Sequence, residues 1–266
     1  MSRFGYRTRL GLIYDDILTN VFDIDAQAFI NAAGITDLTQ QYAINDLVLG
    51  LKSDGLWTKM KAIYPFVGGT ATSHKFNLKN PLDSDAAFRL VFTGGWTHSS
   101  TGATPNGTNA FADTKIVNNI NITDKQSHFS AYLRTVNISN GWFGYYNGSS
   151  VFGLQQYASA TTIGVGVNNL STYVATPTFG YYLGSTNITT GNIYKNGTLV
   201  YNVTGINTVV QNLNFYFGAL NSLGSAVFFT THQYAFGSLG DSFVASEALS
   251  YYNRVQTFQT ALGRQV

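Results

Sequence analysis

The sequence has no cysteine and unusually few charged residues. The absence of cysteine among its 266 residues excludes the disulfide framework that stabilises many small secreted domains. Charged residues make up 11% of the chain, well below the roughly one quarter found in typical globular domains. Asn, Thr, Ser and Gly supply the polarity instead, which predicts a weakly charged surface suited to close packing against neighbours or to hydroxyl-rich ligands. A coding bias towards Asn, Tyr, Phe and Ile explains the same composition equally well.

A strong charge of one sign is also missing. The net charge is +2 and the body of the chain has no basic run, which argues against specific nucleic-acid binding through a broad electrostatic surface. The exception is Arg3, Arg7 and Arg9, three cations within nine residues. They could contact nucleic acid, an acidic protein groove or nothing, and we assign them as candidate docking residues.

Long apolar runs are absent as well. No stretch approaches the length of a membrane span, and the first residues lack the apolar core and cleavage site of a signal peptide. We therefore expect no membrane partner and assembly in a reducing cytoplasm.

Carboxylates are too few for common glycosidase chemistry. Retaining and inverting glycosidases generally use two carboxylates, whereas Glu247 is the single glutamate of this chain and it stands at a predicted helix start. No Gly-x-Ser-x-Gly motif occurs, and the four histidines lack metal-ligand spacing. The sequence therefore predicts no enzymatic activity and no cofactor.

Two acidic pairs leave a structural calcium ion as an alternative. Asp15-Asp16 and Asp83-Ser-Asp85 offer hard oxygen ligands, but neither forms a complete ligand set. Capping of a turn by Asp83 and Asp85 is the competing interpretation.

Helix signals are concentrated near the start of the chain. A helix is predicted over residues 23–34, ended by Gly34, and a second begins at Asp37 with Gln40 as its capping-box partner. An apolar stripe of Ile44, Leu47, Val48 and Leu51 predicts that the second helix covers a sheet. Short helices are also predicted over residues 56–60 and 250–262.

From residue 62 onwards, short apolar segments alternate with Gly, Asn and Ser clusters, which indicates an antiparallel β-sandwich. Asn147-Gly148 and Asn196-Gly197 are the strongest hairpin turns. The predicted strands cover residues 63–67, 87–92, 128–135, 141–146, 151–157, 162–167, 178–183, 192–195, 198–203, 213–219 and 226–231.

Several motifs resemble a known family. The segments FYFGALN (215–221), FGSLGDSFVASEALS (236–250) and IYKNGTLV (193–200) resemble the end of a concanavalin-like (LamG-like) β-sandwich. The segments WTKMKAIYPFVGG (57–69), NLKNP (77–81) and RLVFTGGW (89–96), continuing to Asn109, resemble virion proteins of tailed bacteriophages with such folds. The resemblance covers roughly residues 28–266.

The resemblance implies a mainly β fold, a jelly-roll type antiparallel sandwich with a short N-terminal helical segment. We divide the chain into a docking segment (1–35), a helical segment that packs on the sandwich (36–61) and the sandwich itself (62–266). The implied function is that of a capsid- or tail-associated virion component, located in the particle. Its partners would be other virion proteins and copies of itself.

Carbohydrate binding is the alternative function. A long polar loop is predicted over residues 94–109, and loops of this length often make contacts. The candidate glycan or partner contacts are Trp96, His98, Asn106, Asn109, Trp142 and Tyr145. Strand aromatics such as Trp142 and Tyr145 often point into a core instead. A host-surface polysaccharide adhesin is therefore the second hypothesis, and a glycan depolymerase is the third and weakest.

Overall fold

A computed structural model describes residues 22–122, 126–135, 143–146, 151–154, 162–163, 173–174, 178–205 and 212–266. Several sequence predictions lie outside the described residues: Arg3, Arg7, Arg9, Asp15-Asp16, Trp142 and the Asn147-Gly148 turn.

Four α-helices occur in the described part of the chain. They are α1 (Ile24–Ala33), α2 (Leu38–Ser53), α3 (Ala71–His74) and α4 (Ala245–Ala261), with short 3-10 helices at Trp57–Lys59 and Asp85–Ala87. None of the described helices combines the length and apolar character needed to span a membrane.

The predicted helix ends are largely confirmed. Gly34 ends α1 in the left-handed conformation with φ of 65°. Asp37 caps α2, because its carboxylate accepts a hydrogen bond from the Gln40 backbone N–H at 2.8 Å. The predicted capping-box role of the Gln40 side chain is wrong: its carbonyl oxygen accepts from the backbone N–H of Gly68 at 2.8 Å. Gln40 therefore ties α2 to a distant loop.

The remaining elements are short β-strands. In chain order they are β1 (Met60–Tyr64), β2 (Val91–Thr93), β3 (Trp96–Ser99), β4 (Gly102–Pro105), β5 (Phe111–Val117), β6 (Ser127–Leu133), β7 (Phe143–Tyr146), β8 (Val151–Leu154), β9 (Thr162–Ile163), β10 (Tyr173–Val174), β11 (Gly180–Asn187), β12 (Thr190–Lys195), β13 (Thr198–Thr204), β14 (Asn214–Phe217), β15 (Leu220–Ser222), β16 (Ser225–Val227) and β17 (Tyr234–Asp241).

Most strands belong to two sheets. The central sheet has the order β13-β12-β11-β6-β17-β4-β3, with β1 also paired to β17. The outer sheet has the order β16-β15-β7-β14-β5-β2, with β8 also paired to β7. All the pairs are antiparallel except β15 with β7. The predicted antiparallel β-sandwich with a few helices is confirmed.

The central sheet is buried on both faces. On one face, Tyr132 and Tyr181 join a core formed with α1, α2 and α4. On the other face, Ala131, Leu133 and Tyr182 join a core shared with the outer sheet. Neighbouring residues alternate between the two cores because strand side chains alternate between faces. The molecule therefore has three layers: helices, central sheet and outer sheet.

Several segments differ from the sequence prediction. Strands β15 and β17 have no counterpart among the predicted strands, and three further differences concern β2 to β5. The predicted loop over residues 94–109 contains the β3–β4 hairpin, whose polar Thr and Ser residues hid the strands. Strand β5 was missed, because Asp113 and Lys115 interrupt its apolar pattern. The strand predicted over residues 87–92 is too long: Ala87 ends a 3-10 helix, and only Val91 and Phe92 belong to β2.

The predicted Asn196-Gly197 turn is confirmed between β12 and β13. Both residues have positive φ, 47° and 75°, as a type I′ hairpin turn requires. Gly197 also packs closely against α4, since a Cβ there would lie 2.8 Å from side-chain atoms of Leu249 and Tyr252. The glycine thus sets both the turn and the approach of the helix.

Arg264, at the end of α4, joins the layers through its guanidinium. Only 2% of this residue is exposed. It donates to the carbonyls of Pro65, Phe66 and Ala235 at 3.0, 2.8 and 3.0 Å, and to the side-chain oxygen of Gln259 at 3.0 Å. Burial lowers the pKa of Arg264 to about 9, so the side chain remains charged at neutral pH. Its charge is stabilised by carbonyl dipoles.

Replacing Arg264 should cost much stability. In Arg264→Met the buried carbonyls lose their donor, and each unpaired group costs about 1–3 kcal/mol. We expect the free energy of unfolding, measured by urea denaturation, to fall by about 3 kcal/mol or more. The matched control is Arg254→Met on α4, which removes an ion pair with Asp54 from a side chain that is 41% exposed. It should cost about 1 kcal/mol or less, and equal losses in the two variants would contradict the assignment.

Candidate functional site

Two of the predicted contact residues lie together where the edges of the two sheets meet. Trp96 and His98 project from β3, and Phe92 projects from the adjacent β2. The ring of Phe92 lies edge-on to Trp96 and to His98, with centroid distances of 5.2 and 4.7 Å. Trp96 and His98 lie nearly parallel, 6.3 Å apart. We call Phe92, Trp96 and His98 the edge cluster.

Trp96 connects the central sheet to the outer sheet through its indole N–H. Its indole N–H lies 3.2 Å from the carbonyl oxygen of Thr93 and 3.3 Å from that of Phe111, both in the outer sheet. One edge of the ring lies against Gly218, where a Cβ would approach to 3.0 Å. The indole N–H is thus committed to the fold. The half-exposed ring offers its surface, rather than a hydrogen bond, to a ligand.

His98 forms an unusual pair with His74 of α3. The two Nδ1 atoms are 2.9 Å apart, so one ring donates and the other accepts. Burial lowers the pKa of His74 to about 3, and the nearby positive charges of His98 and Arg264 add to the effect. Burial also lowers the pKa of His98. Both rings are therefore mostly neutral at neutral pH, and one neutral ring can donate its Nδ1 proton to the Nδ1 of the other.

A shallow pocket of about 270 Å³ adjoins the edge cluster at Phe92. Lys75 and Arg89 line it, and both are ion-paired. Asp83 accepts from Lys75 at 2.6 Å and from Arg89 at 2.8 Å, and Asp85 accepts from Arg89 at 3.0 Å. These cations lower the pKa of Asp83. The pocket thus carries alternating charges with little net excess.

The same ion pairs argue against calcium binding at Asp83 and Asp85. A calcium ion would have to compete with Lys75 and Arg89 for both carboxylates. Among the residues that the structure describes, no group of three or more His, Asp or Glu side chains is placed to hold a metal ion. The ion pairs of Asp83 and Asp85 favour the alternative interpretation from the sequence, in which these residues stabilise a turn, over calcium binding.

Asn106 and Asn109 build the turn that follows β4. The side-chain oxygen of Asn106 accepts from the backbone N–H groups of Thr108, Asn109 and Ala110 at 3.0 to 3.2 Å. Its amide nitrogen donates to the side-chain oxygen of Asn109 at 2.8 Å. Both residues are exposed, and their side-chain amides are hydrogen-bonded to each other. They therefore form part of the surface beside the edge cluster.

The predicted contact role of Tyr145 is wrong. Tyr145 is 2% exposed and lies in the core between the sheets. Its hydroxyl accepts from the side-chain amide of Asn118 at 2.6 Å, and its ring meets Phe215 edge-on at 5.4 Å. Tyr145 therefore points from β7 into the core, which is the alternative position that the sequence analysis gave for aromatic residues on strands.

A second histidine site lies inside the protein. His128 Nε2 is 3.2 Å from the hydroxyl of Ser238, and its Nδ1 is 2.6 Å from the backbone carbonyl of Asp241. Its ring stacks on Phe243 at 4.2 Å. A serine beside a histidine can form a nucleophile and its base, but His128 and Ser238 are both fully buried. The contact is therefore structural.

No protein-family model matches the sequence, and a comparison with curated proteins gives no match. Among solved structures, a mutant of Trypanosoma rangeli sialidase with trans-sialidase activity has a TM-score of 0.55 at 11% identity, covering 80% of this chain and 39% of its own. Trypanosoma rangeli sialidase in complex with 2,3-difluorosialic acid has a TM-score of 0.53 at 12% identity, covering 80% and 38%. Domain 4 of AbnA, a GH43 extracellular arabinanase from Geobacillus stearothermophilus, has a TM-score of 0.40 at 13% identity, covering 73% and 98%.

The similarities to the two sialidase structures define the class of fold. At such identities the sialidase structures show a shared β-sandwich architecture alone. The chain spans about two fifths of the length of the sialidase chains, 39% and 38%.

The prediction that the chain has no enzymatic activity is corrected, because the structures that share its fold include sialidases; at 11% and 12% identity the likeness shows the fold alone and assigns no activity. The prediction required paired carboxylates, whereas sialidases use a tyrosine nucleophile. A shortage of glutamate therefore does not exclude glycosidase chemistry.

The buried histidines make stability depend on pH. Burial lowers the pKa of His74 to about 3 and those of His128 and His232 to about 4, from an ordinary value of 6.5. Below pH 6.5 the unfolded chain takes up protons that the folded protein resists. Stability is therefore complete above about 6.5 and is lost as pH falls towards 4, by up to about 1.4 kcal/mol per pH unit for each histidine.

Urea unfolding across this pH range tests the effect. His74→Leu removes one titrating group, so its loss of stability with falling pH should be shallower than that of the original protein. Carboxylates paired in the folded state, such as Asp83, lose their contribution only at lower pH. A free energy of unfolding that stays constant between pH 6.5 and 4 would show that the histidines titrate normally.

Proposed function

We propose that this chain is a structural component of a tailed-phage virion, with a concanavalin-like sandwich docked to other virion proteins and to copies of itself. The segments over residues 57–69 and 89–96, which resemble such virion proteins, support the proposal. Residues 57–69 contain the whole of β1 in the central sheet. Residues 89–96 contain β2 and two residues of the edge cluster, Phe92 and Trp96. Both therefore belong to the body of the sandwich.

The observation that carries the proposal is an apolar stripe on α2. Leu38, Tyr42 and Leu49 are 64%, 44% and 48% exposed, and their spacing places them on one face of the helix. Ile24 on α1 adds a side chain that is 80% exposed. Exposed apolar patches on a folded protein commonly mark interaction sites. The stripe faces away from the sandwich, as expected for a docking layer.

The N-terminal segment joins the molecule beside this stripe. Phe22 meets Tyr42 edge-on, with ring centroids 5.4 Å apart. Phe22 therefore lies next to the exposed apolar side chains, and the proposed docking residues Arg3, Arg7 and Arg9 precede it in the sequence. α1 itself is anchored to the helix-side core through Phe29 and Ile30. The proposed docking surface combines the segment before Phe22 with the α2 stripe.

Removal of residues 1–21 should separate folding from assembly. Both cores described above involve residues beyond 21, so residues 22–266 should keep cooperative unfolding. We expect the truncated protein to be missing from purified particles when it replaces the full chain in an infected host. Immunoblotting of the particles measures incorporation, and normal incorporation of the truncated protein would refute docking through this segment.

Substitutions on the stripe give a second arm of the same test. Leu38→Ser combined with Leu49→Ser should reduce incorporation without unfolding the protein. The matched control replaces Ile188 and Leu223 by Ser, two residues that are 53% and 60% exposed but lie away from α2. The control should incorporate normally, and equal effects of the two pairs would argue against a specific α2 surface.

Carbohydrate binding at the edge cluster is the second candidate function. The supporting observation is an aromatic cluster next to a pocket of about 270 Å³ that is lined by Lys75 and Arg89. Aromatic faces pack on sugar rings, while charged and amide groups bind their substituents. A sialidase of the same fold was solved with 2,3-difluorosialic acid. In this chain Lys75 and Arg89 are already paired with Asp83 and Asp85, so the pocket is better suited to the hydroxyl groups of a neutral saccharide. An adhesin role of the virion protein is compatible with the structural one.

His98→Ala should weaken binding to a host-surface polysaccharide if the edge cluster is the site. We expect the dissociation constant to rise by about tenfold or more, roughly 1.4 kcal/mol, because the cluster loses the imidazole ring that contacts both Trp96 and Phe92. Tyr145→Phe is the control, since its hydroxyl is buried in the core. Binding by calorimetry or on a glycan array reports the effect. Unchanged affinity in His98→Ala would exclude this site.

A further inference from the structure

A groove between α2 and α4 lies next to the α2 stripe. It has a volume of about 450 Å³, and its floor is apolar: Leu47 and Phe258 are each 2% exposed, and Ala43 is 4% exposed. Leu49, which belongs to the stripe, lines the rim of the groove. The groove and the stripe therefore form one continuous apolar surface on the helix layer.

The groove is elongated because it runs between two helices. Its lining extends from Ala43 to Ser53 on α2 and from Arg254 to Ala261 on α4, which is about 15 and 10 Å at the helical rise per residue. The helices are in close contact at Gly50, where a Cβ would lie 2.7 Å from the Cδ of Arg254. The small side chains of Ala43 and Ala261 leave the remainder open. A groove of this length matches an extended segment of about four or five residues.

The charges at the groove leave one carboxylate without a cation. Arg254 donates to both carboxylate oxygens of Asp54 at 2.8 Å, so these two charges satisfy each other. Asp46 also lines the groove and is exposed. Within the described ranges, no Lys, Arg or His side chain lies within ion-pair distance of Asp46. A segment that combines apolar side chains with a cation would therefore complement the groove.

The start of the chain has this chemistry. An apolar run over residues 10–14, with the sequence LGLIY, directly follows Arg9. In an extended segment alternate side chains share a face, so Leu10 and Leu12 can enter the groove together. The preceding arginine then lies beside them, where its guanidinium can reach Asp46 at the rim.

The position of Phe22 brings this segment within reach of the groove. Phe22 meets Tyr42 edge-on at 5.4 Å, and Tyr42 precedes Leu49 by seven residues, about 10 Å along α2. The chain from Leu10 to Phe22 can span up to about 40 Å when extended. A tether of this kind gives a segment an effective concentration of about millimolar at its own groove. The same chain is therefore favoured over a second copy as the source of the segment.

We propose that residues 9–14 bind the groove between α2 and α4 of the same chain, with Leu10 and Leu12 on the apolar floor and Arg9 paired with Asp46. The inference rests on the proposed docking role of residues 1–21 and adds the surface of the body that they occupy. Binding there extends the α2 stripe with further apolar and cationic side chains, so the segment and the stripe act as one docking surface.

Disulfide trapping tests the proposal on the full chain, because the protein has no cysteine of its own. Thr8→Cys is combined with Leu49→Cys at the groove and, in the control, with Ser225→Cys, an exposed residue of β16 in the outer sheet. During mild oxidation of dilute protein, we expect a disulfide within one chain to form severalfold faster in the groove pair, as measured by non-reducing electrophoresis and peptide mass spectrometry. Equal rates in the two pairs would overturn the proposal. Disulfide-linked dimers would assign the groove to a second copy and would also overturn it.

Two further variants test the groove itself. Ala261→Trp should fill it without disturbing the core, because Ala261 is exposed and lines the groove from α4, and trapping should slow severalfold. Thr260→Trp is the matched control, since Thr260 is exposed on the same helix but does not line the groove. Asp46→Asn should also slow trapping, because Arg9 loses its partner. Trapping that is insensitive to both Ala261→Trp and Asp46→Asn would refute the groove as the binding site.

The failure of this inference and the failure of the proposed function give different results. If trapping is absent but particles still require residues 1–21, the groove assignment fails and the docking function stands. If trapping succeeds but protein lacking residues 1–21 is incorporated normally, the groove assignment stands and the docking function fails.

Discussion

Burial of the central sheet on both faces is the constraint on which the structure depends. Every residue of β6 is buried, so side chains on either face must be apolar or paired, and space between the layers is limited. Gly184 and Gly237 lie where this space is smallest, because a side chain at either position would collide with the ring of Phe129 or Phe217. Large aromatic side chains therefore require glycine on the neighbouring strand, as with Phe129 and Gly184, or on the facing sheet, as with Phe217 and Gly237. The combination of many aromatic residues, many glycines and few charges follows from this packing.

Polar groups within these layers are accommodated by hydrogen bonds to one another. The hydroxyls of Ser130 and Ser238 are 2.7 Å apart, and Ser238 also contacts His128. Arg264 is the extreme case, a cation surrounded by carbonyl oxygens where the helix layer meets β1 and β17. Buried polar groups of this kind are costly when broken. They fix how the layers are aligned, whereas the apolar contacts supply most of the attraction.

Local sequence signals predicted the parts of the fold that local chemistry determines. The cap at Asp37, the end of α1 at Gly34 and the Asn196-Gly197 turn each follow from a few neighbouring residues. Contacts between distant residues left no such signal. The His74–His98 pair joins α3 to β3 across 24 positions, and neither histidine has metal-ligand or catalytic spacing. Trp96 and His98 were found because they stood in an unusual polar segment, although that segment is a hairpin and not a loop.

The layered arrangement also gives the two proposed functions separate surfaces. The α2 stripe belongs to the helix layer, while the edge cluster lies where β2 and β3 bring the two sheets together. Leu47 and Val48 on the buried side of α2 pack into the helix-side core, whereas Trp96 packs against the core between the sheets. Effects of substitutions at sites without shared partners generally add. A docking role and a ligand-binding role can therefore coexist in one chain, because the central sheet supports both surfaces without requiring either to change when the other is occupied.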